Sequence, residues 1–104
     1  MYANNVRVAI TGIGVVSPIG IGVETLWKNL LAGKSGAGPI TRFDASDFPT
    51  TFACEATDFD PSDWVDRKLA RSTGRFIQLG IAASDLAVKD ADLNIAPIDA
   101  EAAD

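Results

Sequence analysis

Histidine is missing from the sequence altogether, and cysteine, methionine and tyrosine occur once each in its 104 residues. Without histidine there is no Ser-His-Asp or Cys-His arrangement and no imidazole-ligated zinc site. With a single cysteine there is no disulfide within the chain. A basic excess is lacking too. Fourteen acidic residues against nine lysines and arginines leave a net charge of −5, the wrong sign for the electrostatic footprint of a general nucleic-acid binder. Nor is there an apolar run long enough to span a membrane. The most apolar stretch, Val8 to Val23, is broken by Pro18 and by Gly12, Gly14, Gly20 and Gly22. Only Arg7 precedes it as a charged side chain, and no small-x-small cleavage pattern follows, so it is not read as a signal peptide. The expectation is a soluble, cytoplasmic protein.

What is present is ordinary globular material: 47 % hydrophobic and 22 % charged residues, without the signature of disorder. The length allows at most one small domain, which would bury roughly 60–68 % of its unfolded surface. The segment VRVAITGI, Val6 to Ile13, is rich in β-branched residues and nearly continuously apolar after Arg7. A strand buried on both faces in a parallel sheet reads this way, and it needs neighbours on both edges. In GVETLWKNLLAGKSG, Val23, Leu26, Trp27, Leu30 and Leu31 form the stripe of an amphipathic helix, with Glu24 and Lys28 paired on its outer side. Gly33 stands where a left-handed C-terminal cap is expected.

Lys34 to Asp60 reads as irregular, with a short strand over Phe52 to Glu55 and four phenylalanines that suggest packing rather than disorder. Asp60-Pro61 predicts a capped helix over Ser62 to Ala70, followed by a second over Thr73 to Ala91. In the second, Phe76, Gly80, Ala83 and Ala87 share a face, and its small residues predict close approach to another element. The tail 98–104 is acidic and expected to fray.

Candidate sites are few. Gly12-x-Gly14 after an apolar run suggests a phosphate cradle, but a dinucleotide fingerprint needs a third glycine or alanine where this chain has Ser17. The helix also begins too late, near Val23, so the glycines are read as a sharp structural turn and no cofactor is expected. Cys54 is the one candidate nucleophile. Flanked by Ala53 and Glu55 with no histidine to deprotonate it, it is read as a packing residue. Asp44, Asp47, Asp58, Asp60 and Asp63 lack the alternation of a calcium loop and are read as capping and solvated groups, with no metal. Arg67, Lys68, Arg71 and Arg75 are more informative. On one continuous helix they would span an arc of roughly 100°, either a solvated face or a docking face for an acidic partner. Gly74, after Ser72-Thr73, is where that helix would break.

Taken together, four blocks resemble one family: VAITGIGVVSPIG, ETLWKNLLAGKSG, ITRFDASDFPTTFACEATDFDP and DRKLARSTGRFIQLGIAAS. In order and spacing they are similar to the N-terminal quarter of β-ketoacyl-[acyl-carrier-protein] synthases, most of all the synthase II type of bacterial fatty-acid synthesis, over about residues 5–97 of a partial domain spanning 1–104. Two departures stand out: Gly74 replaces an aspartate that caps the long helix in the family, and Asp92 replaces a glycine at its end. The resemblance implies an α/β chain, the N-terminal fragment of a thiolase-like fold that is layered αβαβα in the complete enzyme. It implies a homodimeric acyltransferase joining an acyl thioester to malonyl-carrier protein by decarboxylative Claisen condensation, with a cysteine and two histidines that lie beyond Asp104. It also implies that Arg67, Lys68 and Arg71 help dock the acidic acyl carrier protein, and that Cys54 is not the nucleophile.

One buried strand, two amphipathic helices and a packed loop do not enclose a core, so the chain reads as incomplete and, by itself, inactive. Three function classes stay open: part of a condensing enzyme of fatty-acid or polyketide type, a non-catalytic carrier-protein-docking module, and a nucleotide-binding βα unit.

Overall fold

The computed structural model describes residues 5–94. Its elements in chain order are β1 (Val16–Ser17), β2 (Gly20–Ile21), α1 (Val23–Leu31), β3 (Ala37–Pro39), β4 (Phe52–Cys54), a 3₁₀ turn (Pro61–Asp63), α2 (Arg67–Ser72) and α3 (Arg75–Asp90).

Val6–Ile13 does not form the expected strand, while its want of neighbours is what the incomplete core led us to expect. The segment is not a paired strand, and among the described residues no other strand lies alongside it. Its side chains face outward, Val8 at 90 % and Ile10 at 85 % exposure. The two strand pairs among the described residues are local ribbons, and neither supplies the edges that this apolar sequence would need.

The segment is anchored only at its end, and the glycines do the anchoring. Neither Gly12 nor Gly14 has a positive φ. They are not turn residues. A Cβ on Gly14 would fall 2.5 Å from the Ala87 amide nitrogen, and one on Gly12 would fall 2.6 Å from that of Ala91. Glycine is therefore required for backbone to lie directly on the small-residue face of α3. Beside this contact the Ile13 N–H donates to Asp90 Oδ2 at 2.9 Å. Close approach to α3, predicted from Ala83 and Ala87, is thus made by Gly12 and Gly14. The same face lies open nearer its start, where Phe76 is 78 % exposed.

The reversal of direction happens further on, in the antiparallel β1–β2 pair, where Val16 faces Ile21 and Ser17 faces Gly20. The Ser17 hydroxyl donates to Gly20 O at 2.8 Å, and the Asn29 side-chain amide of α1 donates to Ile19 O. This hairpin separates the Gly12-x-Gly14 segment from the start of α1 and removes the geometry of a phosphate cradle.

α1 ends as its sequence predicts. Gly33 adopts φ 69°, its N–H donates to Leu30 O, and the Lys34 N–H donates to Asn29 O, the paired bonds of a Schellman cap. The Glu24–Lys28 ion pair is not formed; among the described residues the ion pair present is Lys89–Asp85, at 2.7 Å on α3. α3 closes with the same cap, but here the left-handed position is Asp92, at φ 54°. Its N–H donates to Lys89 O and that of Leu93 to Val88 O. At the other end Gly74 is the N-cap and offers no side-chain acceptor. Both departures from the family pattern thus fall on helix ends.

The irregular region contains a second ribbon. β3 and β4 pair antiparallel, with Ala37 opposite Cys54, Gly38 opposite Ala53 and Pro39 opposite Phe52. Among the described residues, Ala45, Phe59, Val65 and Ala82 are the buried apolar ones. Packing of the phenylalanines holds for Phe59, 4 % exposed, and in part for Phe43 and Phe48, whose rings meet edge to face at 5.6 Å; Phe52 is exposed. The Cα radius of gyration is 18.1 Å, against about 13 Å for a compact domain of this length.

Candidate functional site

The predicted helix over Ser62 to Ala70 is two elements. Asp60 caps a single 3₁₀ turn, accepting from the Ser62 N–H at 3.0 Å and the Ser62 hydroxyl at 2.8 Å. The Ser62 bonds, that from the backbone foremost, hold the Asp60 carboxyl below the usual carboxylate range. The chain then extends at Asp66, whose carboxylate accepts from the Leu69 N–H at 2.7 Å and starts α2 afresh. A carboxylate that can reach the third amide ahead of it stabilises a helix start more than a helix interior. Asp66 decides the division.

α2 is six residues long, RKLARS, and three of them are cationic. Arg67, Lys68 and Arg71 all face outward and lie within about 100° of arc on their own short helix. Among the described residues none of the three side chains forms an ion pair or donates a hydrogen bond to protein. Arg75 does not share their face. The backbone breaks at Thr73, which is extended at φ −121° and ψ 147°, and α3 begins on a new axis. The Arg75 guanidinium turns inward, donating to Ala56 O at 2.7 Å and lying 5.3 Å from the centroid of the Phe59 ring. The four-residue arc of a continuous helix is therefore a three-residue patch plus one internal tie.

Gln78, which the sequence reading passed over, holds the other end of α2. It is 6 % exposed, the buried polar residue among those described. Its amide nitrogen donates to Ala70 O at 3.0 Å and lies 3.2 Å from Thr73 O and 3.4 Å from Thr73 Oγ1. Thr73 Oγ1 in turn donates to Leu69 O at 2.6 Å. The last carbonyls of a helix have no partner within it; here α3 supplies one. A glutamine one turn into a helix, just after a Ser-Thr-Gly break, is the sequence signal that marks this role.

Cys54 is exposed, opposite Ala37 on the β3–β4 ribbon. It is not the buried packing residue expected, because no layer covers that face of the ribbon. Its neighbour Glu55 folds back on Thr41, accepting from the Thr41 N–H at 3.0 Å and the hydroxyl at 2.6 Å. These bonds, the hydroxyl's first, hold the Glu55 carboxyl below its ordinary range. Asp44 acts as a capping group, accepting from the Ser46 N–H at 3.1 Å, while Asp47, Asp58 and Asp63 accept no such bond among the described residues.

The profile of the β-ketoacyl synthase N-terminal domain matches residues 5–103. The 3-oxoacyl-[acyl-carrier-protein] synthase 2 of Coxiella burnetii is 53 % identical over 89 residues, which are 86 % of this chain and 22 % of that protein. The protein of the same name from Synechocystis is 43 % identical over 95 residues, 91 % of this chain and 23 % of that one. Among solved structures, the ishigamide ketosynthase/chain length factor superposes with a TM-score of 0.75 at 47 % identity, over 82 % of this chain and 21 % of that one. The chain thus spans about a fifth of the length of the relatives it matches, with the α/β arrangement that the sequence led us to expect. It belongs to the β-ketoacyl synthase family, in that family's N-terminal domain.

Proposed function

We propose that the chain is the N-terminal part of a fatty-acid condensing enzyme, a 3-oxoacyl-[acyl-carrier-protein] synthase, and that α2 is a docking face for its carrier protein. The observation that carries this reading is 43–53 % identity, over most of the chain, to proteins named 3-oxoacyl-[acyl-carrier-protein] synthase 2. Those names favour the fatty-acid route over the polyketide one.

In the complete homodimeric enzyme an acyl group passes from carrier thioester to a cysteine sulfur, releasing the carrier thiol. Loss of CO₂ from malonyl-carrier protein leaves a carbanion that attacks the acyl thioester, forming the new C–C bond and releasing the cysteine thiolate. That cysteine and two histidines come from outside these residues: the chain has no histidine, and Cys54 sits on an exposed ribbon. What the chain contributes is position. Three cations on a short, outward-facing helix attract an acidic protein at long range and act on its rate of encounter. The setting is cytoplasmic, and no helix among the described residues is long and apolar enough to cross a membrane.

The test is steady-state condensation by the complete synthase with carrier-bound substrate. Arg67→Glu, Lys68→Glu and Arg71→Glu together are expected to raise the carrier-protein KM about tenfold or more and to flatten its dependence on salt. An unchanged KM overturns the docking reading. Turnover by residues 1–104 alone overturns the assignment of the catalytic groups to other residues.

A further inference from the structure

We infer that Gln78 is a positioning residue for carrier-protein recognition, acting through α2 from the buried side of the α2–α3 junction; the inference rests on the docking reading of Arg67, Lys68 and Arg71. α2 is too short to hold its own orientation, since isolated helices well beyond its six residues are marginal in water. It is not continuous with α3, so the axis of the longer helix does not dictate where the cations point. Two attachments fix it instead. At its start the Asp66 carboxylate binds the Leu69 N–H at 2.7 Å. At its end the Gln78 amide bridges Ala70 O and Thr73 O, at 3.0 and 3.2 Å.

The two attachments differ in what they hold. Asp66 belongs to the same strip of chain and only starts the helix. Gln78 belongs to α3, so among the described residues its bonds are the side-chain hydrogen bonds that tie the end of α2 to another element. The amide nitrogen carries two hydrogens and faces three oxygens, those of Ala70, Thr73 and the Thr73 hydroxyl. The function lies in the donors, not in the volume of the side chain. Arg71 adjoins Ala70 directly, so a change in direction of that carbonyl is a change in the direction of the patch.

This separates donor from shape experimentally. In the complete synthase, Gln78→Met keeps the length of the side chain and removes both donors, while Gln78→Glu keeps shape and polarity and turns an acceptor toward two carbonyls. Each is read with carrier-bound substrate and with a small pantetheine thioester that does not need the docking face. The expected result is a carrier-protein KM raised about fivefold, the worth of one net hydrogen bond, with turnover of the small thioester unchanged. In a double-mutant cycle with Arg71→Ala, the effect of Gln78→Met is expected to shrink, since one acts through the other.

Parallel loss on both substrates makes Gln78 a plain stability residue and overturns the inference. So does an unchanged carrier KM in a synthase whose charge-reversed α2 has lost affinity. If charge reversal itself has no effect, the docking reading fails first and the inference falls with it. Should Gln78→Met not fold, Gln78→Glu serves as the test with the same two substrates.

Discussion

Replacing Gly14 with alanine puts a methyl group where two backbones already touch. The new Cβ starts 2.5 Å from the Ala87 amide nitrogen, while ordinary contact begins at 3.4 Å. The extended segment must therefore retreat from α3 by more than the 0.9 Å this contact alone requires, because Ala83 O lies nearer still and backbone atoms cannot rotate aside. Overpacking of this kind costs about 1–3 kcal/mol. The same retreat stretches the 2.9 Å bond from the Ile13 N–H to Asp90 beyond hydrogen-bonding range, adding about 1 kcal/mol for an exposed bond. The total, about 2–4 kcal/mol, corresponds to local opening roughly 30 to 1,000 times more frequent. Amide hydrogen exchange in the complete synthase reads this directly, at Ile13 and over the second half of α3. Gly38→Ala is the control: its Cβ meets nothing within 4 Å and its φ is not positive, so its effect is expected to stay within about 0.5 kcal/mol. A Gly14→Ala protein whose Ile13 amide exchanges as slowly as the parent's refutes the close-approach account.

Other expectations follow from the helix ends, the ribbon and the exposed apolar surface. Asp92→Gly relieves a left-handed, non-glycine cap and is expected to raise stability by about 0.5–1 kcal/mol in thermal unfolding; an unchanged or lowered midpoint counts against the strain. Thr41→Val removes the hydroxyl that holds the Glu55 carboxyl down, so its titration, followed by NMR, moves back up toward the ordinary carboxylate value. The sign for stability follows from the depressed folded-state value: the contribution is present at neutral pH and is lost as pH falls through that value, below the ordinary carboxylate range. A Glu55 titration that stays put in Thr41→Val discards the cause given. Residues 1–104 by themselves, with Val8 at 90 % and Ile10 at 85 % exposure, are expected to bind a hydrophobic dye and melt without a cooperative transition; a sharp transition with no dye binding contradicts this.

Elements whose signals are local were legible in the sequence. α1 announced itself by a full apolar stripe and by Gly33, and α3 by its small-residue face. Asp92 showed in advance where a cap is strained. Elements that depend on distant partners were not legible. Ala37-Gly38-Pro39 has little strand propensity and becomes β3 only because Phe52–Cys54 lies opposite. The apolar pattern of Val6–Ile13 reported a burial that the described residues do not provide. At residues 60–72 two aspartates each suited a helix start, and propensity had no means of choosing between them; the outcome was one turn for Asp60 and a helix for Asp66. For the basic patch, the periodicity identified three of its members correctly as neighbours. Arg75 belonged to the arc only on a continuous helix; the break expected at Gly74 takes it off that face, and its partners, Ala56 O and the Phe59 ring, lie 16 or more residues back in the chain.

The unpaired segment Val6–Ile13 also has a consequence in time. It leaves the ribosome before everything C-terminal to it, and among the described residues no strand pairs with it. In a synthase as long as the Coxiella burnetii relative, of which the matched stretch is 22 %, roughly 300 residues follow, and at about 5–20 residues per second their synthesis takes about 15–60 s. Throughout that interval an apolar, β-branched edge waits without partners, the condition under which nascent chains pair with one another or are held by chaperones. Arg7 is the one charge within it. A single cation on an otherwise adhesive edge is a gatekeeper of the kind that such sequences carry, and its service would be to the newborn chain rather than to the finished fold.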